Sequence, residues 1–192
     1  LYYMGLERGS VTFAQGTARE ERHTVGARWA GRHGGWDWDL EAVYQFGSFG
    51  AGDIAAYAFA NEVGYTWRGM PWTPRLAARL DLFSGDKDLS NPDLNTFEVP
   101  FAKIPYLVEA ELAGQANAID LHPILTVSPT KTLSFTAEYM ALWKHRQADT
   151  YYLPPLRPVR PTAGGSSFAA HFAQTTGRWT LSPQASVNAV YT

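Results

Sequence analysis

The chain has 192 residues, a formal net charge of −2, 45% hydrophobic and 18% charged residues, and no Cys. That balance is too apolar and aromatic for a disordered chain and carries no basic footprint for nucleic acid; it also removes disulfide scaffolds, thiolate metal sites and Cys nucleophiles. The longest apolar run, Ile54 to Ala60, has seven residues, against the roughly 18 to 20 that a membrane-spanning helix needs.

The first residue is Leu1, with no Met and no basic-apolar leader, so the chain reads as an excised piece of a longer protein. Arg8 to Glu20 reads as a long polar link. His23 to Gly31 then sets Val25, Ala27 and Trp29 at alternate positions before the tight turn His33-Gly34-Gly35. From Trp36 to Phe46 six apolar side chains occupy every second position, the period of a strand with two unlike faces. Gly47 to Asp53 reads as another link. Tyr57 to Trp67 and Arg75 to Phe83 repeat the alternation on either side of the turn Arg68 to Thr73. Ser84 to about Asn117 reads as one long loop, and counting strands up and down assigns Tyr106 to Leu112 to it. Beyond the turn Ser128-Pro129-Thr130, the segment Thr132 to Lys144 alternates again. His145 to Ser166 is a further polar, Pro-rich link, Thr180 to Pro183 a turn, and Gln184 to Thr192 a last strand with no closing strand after it.

No helical stripe survives over ten residues, so the fold class is all-β. Short Gly- or Pro-bearing turns alternate with longer links, as in an up-and-down antiparallel transmembrane β-barrel with short periplasmic turns and long outer loops. About nine strands are expected, as one barrel domain over residues 1–192 that is part of a larger barrel. Six of the seven Trp, all except Trp143, lie in or beside a predicted short turn. Indoles settle at the headgroup level of a bilayer, so this placement suits an apolar face turned to lipid. The competing fold is a soluble sandwich or lipocalin-like barrel with the aromatic faces buried.

Phe13-Ala14-Gln15-Gly16-Thr17, Glu20-Glu21-Arg22-His23-Thr24-Val25-Gly26-Ala27-Arg28, Gly35-Trp36-Asp37-Trp38-Asp39-Leu40-Glu41 and Tyr44-Gln45-Phe46-Gly47 occur in that order. They are followed by Ser84-Gly85-Asp86-Lys87-Asp88, Leu94-Asn95-Thr96-Phe97 and Ile119-Asp120-Leu121-His122-Pro123. Over most of Leu1 to Lys144 this ordered set resembles the alginate-export family of bacterial outer-membrane β-barrels. The resemblance implies the C-terminal portion of a large barrel, located in the outer membrane, that releases an anionic polysaccharide such as alginate. Its implied partners are that polymer, outer-membrane lipid and lipopolysaccharide, and a periplasmic secretion scaffold. A general or small-sugar porin and a soluble carbohydrate-binding β-domain are the alternative functions.

With apolar faces outward, the inward set includes Arg22, Thr24, Arg28, Asp37, Asp39, Glu41, Gln45, Glu62, Thr66, Arg75, Arg79, Asp81, Asp120, His122, Thr136 and Glu138. Candidate polymer contacts are Arg22, Arg28, Arg75, Arg79, His122 and Lys144, because a permanently charged planar guanidinium suits the carboxylates of a polyuronate. The same arginines also suit wall bracing. Pairing about the turns sets Arg28 opposite Asp39 and Glu62 opposite Arg79, pairs that contribute about 0.2–1 kcal/mol each. Arg75 then has only Thr66 opposite and is expected to be the freer cation. One register sets Asp120 against Glu138, and a slip of two sets His122 there instead.

Asp86, Asp88 and Asp93 carry oxygens at spacings that suit Ca²⁺, without the Glu at the twelfth position of the helix-loop-helix motif; the alternative is a solvated turn. The basic, Pro-rich stretch from His145 to Pro161 reads either as a contact for lipopolysaccharide phosphates or the anionic polymer, or as a stiff exposed loop. No Ser, His and acid constellation, phosphate cradle or close-spaced His pair occurs, so the chain is expected not to be an enzyme and to need no cofactor.

Overall fold

A computed structural model describes residues 1–100, 106–107 and 109–192. It consists of β1 (Tyr2–Phe13), β2 (Gly16–His33), β3 (Trp36–Phe49), β4 (Gly52–Thr66), β5 (Arg75–Phe83), β6 (Ala118–Val127), β7 (Leu133–Trp143), a small β8 (Tyr151–Leu153) and β9 (Arg157–Val159), then β10 (Phe168–Ser182) and β11 (Ala185–Tyr191). Nine strands form one antiparallel sheet in the order β1-β2-β3-β4-β5-β6-β7-β10-β11, each hydrogen-bonded to its neighbour in the path. The expected all-β, up-and-down architecture is therefore present. The sheet is open, with β1 and β11 as its edges.

The alternation sorts side chains in the opposite sense to a water-soluble sheet. Val25, Trp29, Tyr44, Phe46, Phe59, Leu80, Leu121, Phe135 and Tyr139 are exposed, whereas Arg22, Thr24, Gln45, Asp81, Asp120 and His122 are buried. Among the described residues no second sheet covers the aromatic face. An apolar outer face and a polar inner one are the pattern of a sheet that meets lipid outside and water inside.

Two expected links are strands. Arg8 to Glu20 is crossed by a turn of only Ala14 and Gln15, and Gly47 to Asp53 by a turn of Gly50 and Ala51. Arg8 and Glu20, whose charge suggests a loop, face inward into an ion cluster, and a register shift between Arg8 and Val11 interrupts the alternation that marks a strand. The asymmetry between the two ends therefore rests on two long connections, 84–117 and 144–167. Gly34-Gly35 forms a two-residue turn with Gly34 left-handed at φ 59°. The turn after β10 is Pro183-Gln184, because β10 continues through the expected turn residues to Ser182.

The long connections do not project as solvated loops. β5 is shorter than β4, so the upper end of β4 has a free edge, and the 84–117 connection covers it. Leu94 bridges Ile54 in parallel, its N–H donating to Asp53 O (2.9 Å) while its carbonyl accepts from Ala55 N (3.1 Å). Ser84 Oγ accepts from Tyr57 N at 2.9 Å. These bonds satisfy backbone groups that would otherwise be left at a sheet edge. Gly52 makes the approach possible, since a Cβ there would lie 1.9 Å from Pro92 O. Leu94, Phe97, Leu107 and Tyr152 then pack on the inner apolar residues Phe13, Phe49, Ile54, Phe83, Met140 and Leu142, and this cluster is the core of the molecule. The 144–167 connection contains the β8–β9 hairpin and a turn of 3₁₀ helix at Arg160–Thr162, neither of which the Pro-rich sequence suggested. At the long-loop end the inner wall is thus covered, its apolar cluster flanked by buried ionic groups, and toward the short turns it is charged and open.

Candidate translocation path

Below the packed loops lies a cavity of about 1070 Å³ on the inner wall. Its lining carries five arginines, Arg28, Arg32, Arg68, Arg75 and Arg79, and five carboxylates, Asp37, Asp39, Glu41, Glu62 and Asp81. Strands β2 to β5 place all of these by parity except Arg68, which lies in the connection between β4 and β5. Tyr106 comes from the long loop and closes the upper side.

Three of the five arginines are braced by ion pairs. Arg28 Nε donates to Asp39 Oδ1 at 2.6 Å and its Nη2 reaches Asp39 Oδ2, a two-pronged contact. The expected pair is present although the expected register is not. The two-residue turn sets Arg28 across from Glu41 and Ala30 across from Asp39, so the ion pair is diagonal. Glu62 lies opposite Arg79, as expected, and accepts from its Nη2 at 3.0 Å. Arg75 lies opposite Thr66, again as expected, but it is not the freer cation. Its guanidinium contacts both oxygens of Asp37 on β3, Nε at 3.0 Å, and Nη2 donates to Glu62 at 2.9 Å. The Asp37 contact crosses two strands, and facing-pair logic looks only to the neighbouring strand. Arg28, whose side chain is 59% exposed, is the most open of the three.

Arg79 lies 5.5 Å from the Tyr106 ring centroid, and Tyr106 Oη donates to Asp81 Oδ2 at 3.0 Å. Burial of Tyr106 raises its phenol pKa above the usual range, which keeps it a donor. Tyr106 had no signal in the sequence, because a long loop has no period that predicts where its middle will land. Arg32 did have one: it continues the even-numbered inward series of Arg28.

The remaining candidates lie elsewhere. Arg22 is fully buried, donates to Glu20 at 2.7 Å, and also bonds Gln45 and the Thr96 carbonyl, so it anchors the loop and does not face the open cavity. Arg8 and Glu98 complete that cluster. Neither carries a signal in the sequence, where Arg8 falls in a polar link and Glu98 in the long loop. Lys144 is likewise buried, its Nζ donating to the carbonyls of Gln147 (3.0 Å), Asp149 (3.2 Å) and Thr162, which stitches the second connection together. His122 is buried with Nε2 3.3 Å from Glu138. Neither register considered for that hairpin occurs, because Glu138 pairs with Ile124, and Asp120 lies between Asp81 and Leu142.

Asp86, Asp88 and Asp93 do not converge. Asp86 accepts from the backbone N–H groups of Asp88 (2.9 Å) and Asn95 (3.0 Å), Asp88 accepts from Ser90, and Asp93 accepts from Asp53 N (3.1 Å). Each carboxylate is used in shaping the loop, and among the described residues no group of three acids or His is arranged to hold a metal. Burial raises the pKa of Asp86, and likewise of Asp149, which accepts from Asp86 N and Thr96 Oγ1.

A wall of this kind offers guanidinium hydrogens on a scaffold of fixed carboxylates, suited to repeated weak contacts with a passing polar chain. A search of curated proteins finds no match. Residues 1–191 match the family model described as Alginate export, and the chain belongs to that family of outer-membrane transport proteins.

Proposed function

We propose that residues 1–192 form one sector of a larger outer-membrane barrel through which an anionic polysaccharide of the alginate class leaves the cell. The short turns would face the periplasm, the two folded connections the outside, and the exposed aromatic face the lipid and lipopolysaccharide. The observation that carries this reading is the charged cavity on the inner wall, where arginines are held in place yet keep donors free. A guanidinium with two hydrogen bonds committed to a carboxylate still has N–H groups for a sugar carboxylate. Because its counter-charge is already present, each such contact is weak, and conduction needs sites that bind and release.

The equal numbers of arginines and carboxylates in the cavity favour a second reading, a porin for small sugars. Current block by oligosaccharides separates the two in the complete barrel in planar bilayers. If the export reading holds, hexagalacturonate blocks at a concentration about tenfold below that of maltohexaose, the equivalent of one charge-assisted contact. Equal block by both supports the porin.

A further inference from the structure

A second cavity, of about 700 Å³, opens at the short-turn end. It lies between the connection that joins β4 to β5, the 128–132 turn and the end of β10. Its lining combines Trp72, Lys131 and Arg178 with Ser and Thr hydroxyls, and no carboxylate is among the lining residues. Among the described residues neither Lys131 nor Arg178 forms a salt bridge. This is the reverse of the cavity above it, where carboxylates match the arginines in number.

Register and parity put the Arg178 side of the cleft on the inner wall. Arg178 pairs with Ser134 of β7, which shares its parity with the inward Glu138, and Gln174, four residues before Arg178 on β10, donates to Glu138 at 3.3 Å. Any chain entering from the short-turn end passes this position before it reaches Arg28 or Arg75.

The aromatic member is held in a conformation that costs energy. Trp72 and Thr73 are consecutive non-glycine residues with φ of 64° and 40°, a region that disfavours bulky and β-branched side chains. Four backbone bonds hold the connection: Trp67 N to Pro74 O at 2.9 Å, Met70 N to Trp67 O at 3.2 Å, Thr73 N to Met70 O at 3.1 Å, and Ser128 N to Trp72 O at 2.7 Å. The last ties it to the neighbouring turn, so Trp72 is fixed relative to Lys131. Its side chain remains largely exposed.

We propose that this cleft is a binding subsite for one acidic sugar unit of the exported polymer, with Arg178 and Lys131 taking the carboxylate, the Trp72 indole covering the apolar face of the ring, and the hydroxyls bonding the sugar oxygens. A pyranose uronate presents those three chemistries together, and a small inorganic anion would leave the indole without a partner. The proposal rests on the export reading above and on the short turns facing the periplasm. It adds a capture step: the polymer first meets uncompensated cations, then moves onto a balanced wall that holds it less tightly.

Sidedness tests it. The complete barrel, oriented in a planar bilayer, is blocked with hexagalacturonate added on the short-turn side or the long-loop side. The Lys131→Gln/Arg178→Gln double variant should raise the half-blocking concentration from the short-turn side about tenfold and leave block from the other side unchanged. Trp72→Ala should also weaken short-turn block, and Trp72→Phe should restore it. Arg178→Lys should keep most of the affinity, which separates charge from fold. Unchanged short-turn block in both the double variant and Trp72→Ala, with the acidic oligomer still preferred over maltohexaose, overturns the subsite and leaves the export reading standing. Loss of that preference in the unsubstituted protein overturns both.

Discussion

Arg8 on β1 donates to Glu98 of the long connection at 2.7 Å, joining a wall strand to a loop 90 residues further along the chain. Glu20 on β2 contacts the same guanidinium, and Arg22 contacts Glu20, so two arginines and two carboxylates form one cluster. Arg8→Met should strand Glu20 and Glu98 with Arg22 alone and cost about 3 kcal/mol, the scale for breaking a buried pair from one side. The Arg8→Met/Glu98→Met double variant should recover much of that loss. Limited proteolysis within the 84–117 connection, followed with single-channel conductance, reads the effect. Cleavage and conductance should both rise in the single variant and fall back in the double one.

Gly52 gives an independent test of the same seat. A Cβ there would collide with the Pro92 carbonyl, which is backbone and has no rotamer to change. Gly52→Ala should therefore lift the segment around Leu94 from the free edge of β4 while leaving the β3–β4 pairing intact. Hydrogen exchange should quicken at the Ala55 and Leu94 amides, which bond across that seam, and stay unchanged at the β3–β4 ladder.

Along the cavity, Arg28 and Arg75 should respond differently to loss of charge. Arg28 is open to solvent and has one partner, so Arg28→Gln should change stability by less than about 1 kcal/mol while shifting the reversal potential toward cations. Arg75→Gln leaves Asp37 without its partner and Glu62 with Arg79 only. It should give the same direction of selectivity shift together with a lower melting temperature. A melting loss in Arg28→Gln as large as in Arg75→Gln would contradict the difference in bracing.

His145 makes part of the loop packing pH-dependent. Its Nδ1 accepts from Gly85 N at 3.1 Å, which requires the unprotonated nitrogen, and Tyr57 Oη lies 3.4 Å from Nε2. Burial first, and the neighbouring Arg146 second, push its pKa below the ordinary 6.5. The folded loop therefore binds fewer protons than the released one. Its contribution is complete above 6.5 and is lost as pH falls through the depressed value. Asp86 and Asp149, raised by burial, act in the opposite sense: their contribution is present at acid pH and declines as pH climbs beyond the ordinary carboxylate range. The protection factor of the Gly85 amide, its exchange corrected for the base-catalysed intrinsic rate, should be higher at pH 8 than at pH 5.5, and His145→Asn should flatten that difference.

How much of this was legible beforehand depends on the physical range of each signal. Strand period is local, so Trp36 to Phe46 and Thr132 to Lys144 declared themselves, and with them the fold and the inward parity of Arg28, Arg75 and Arg79. Register depends on where the turn sits: Gly34-Gly35 forms it, and centring it one residue earlier, on His33-Gly34, moves Arg28 from Glu41 to Asp39. The partner of Arg75 lies two strands away on Asp37, beyond any pairwise rule. Polarity alone misread Arg8 to Glu20 as loop, since a charged residue facing a buried ion cluster looks the same in sequence as one facing water. The placement of Tyr106 and Lys144 depended on how long connections fold back, which no periodicity encodes.

The 84–117 connection touches the wall at Arg8 on β1, Arg22 on β2, Gln45 on β3 and Ile54 on β4. Four strands of a curved surface are thus tied to one segment crossing their concave side, as a bowstring ties the limbs of a bow. A sheet held in that way keeps its bend without help from its outer edges. Curvature at β1 to β4 is then a property of this sector itself, and slackening the string should let those four strands splay.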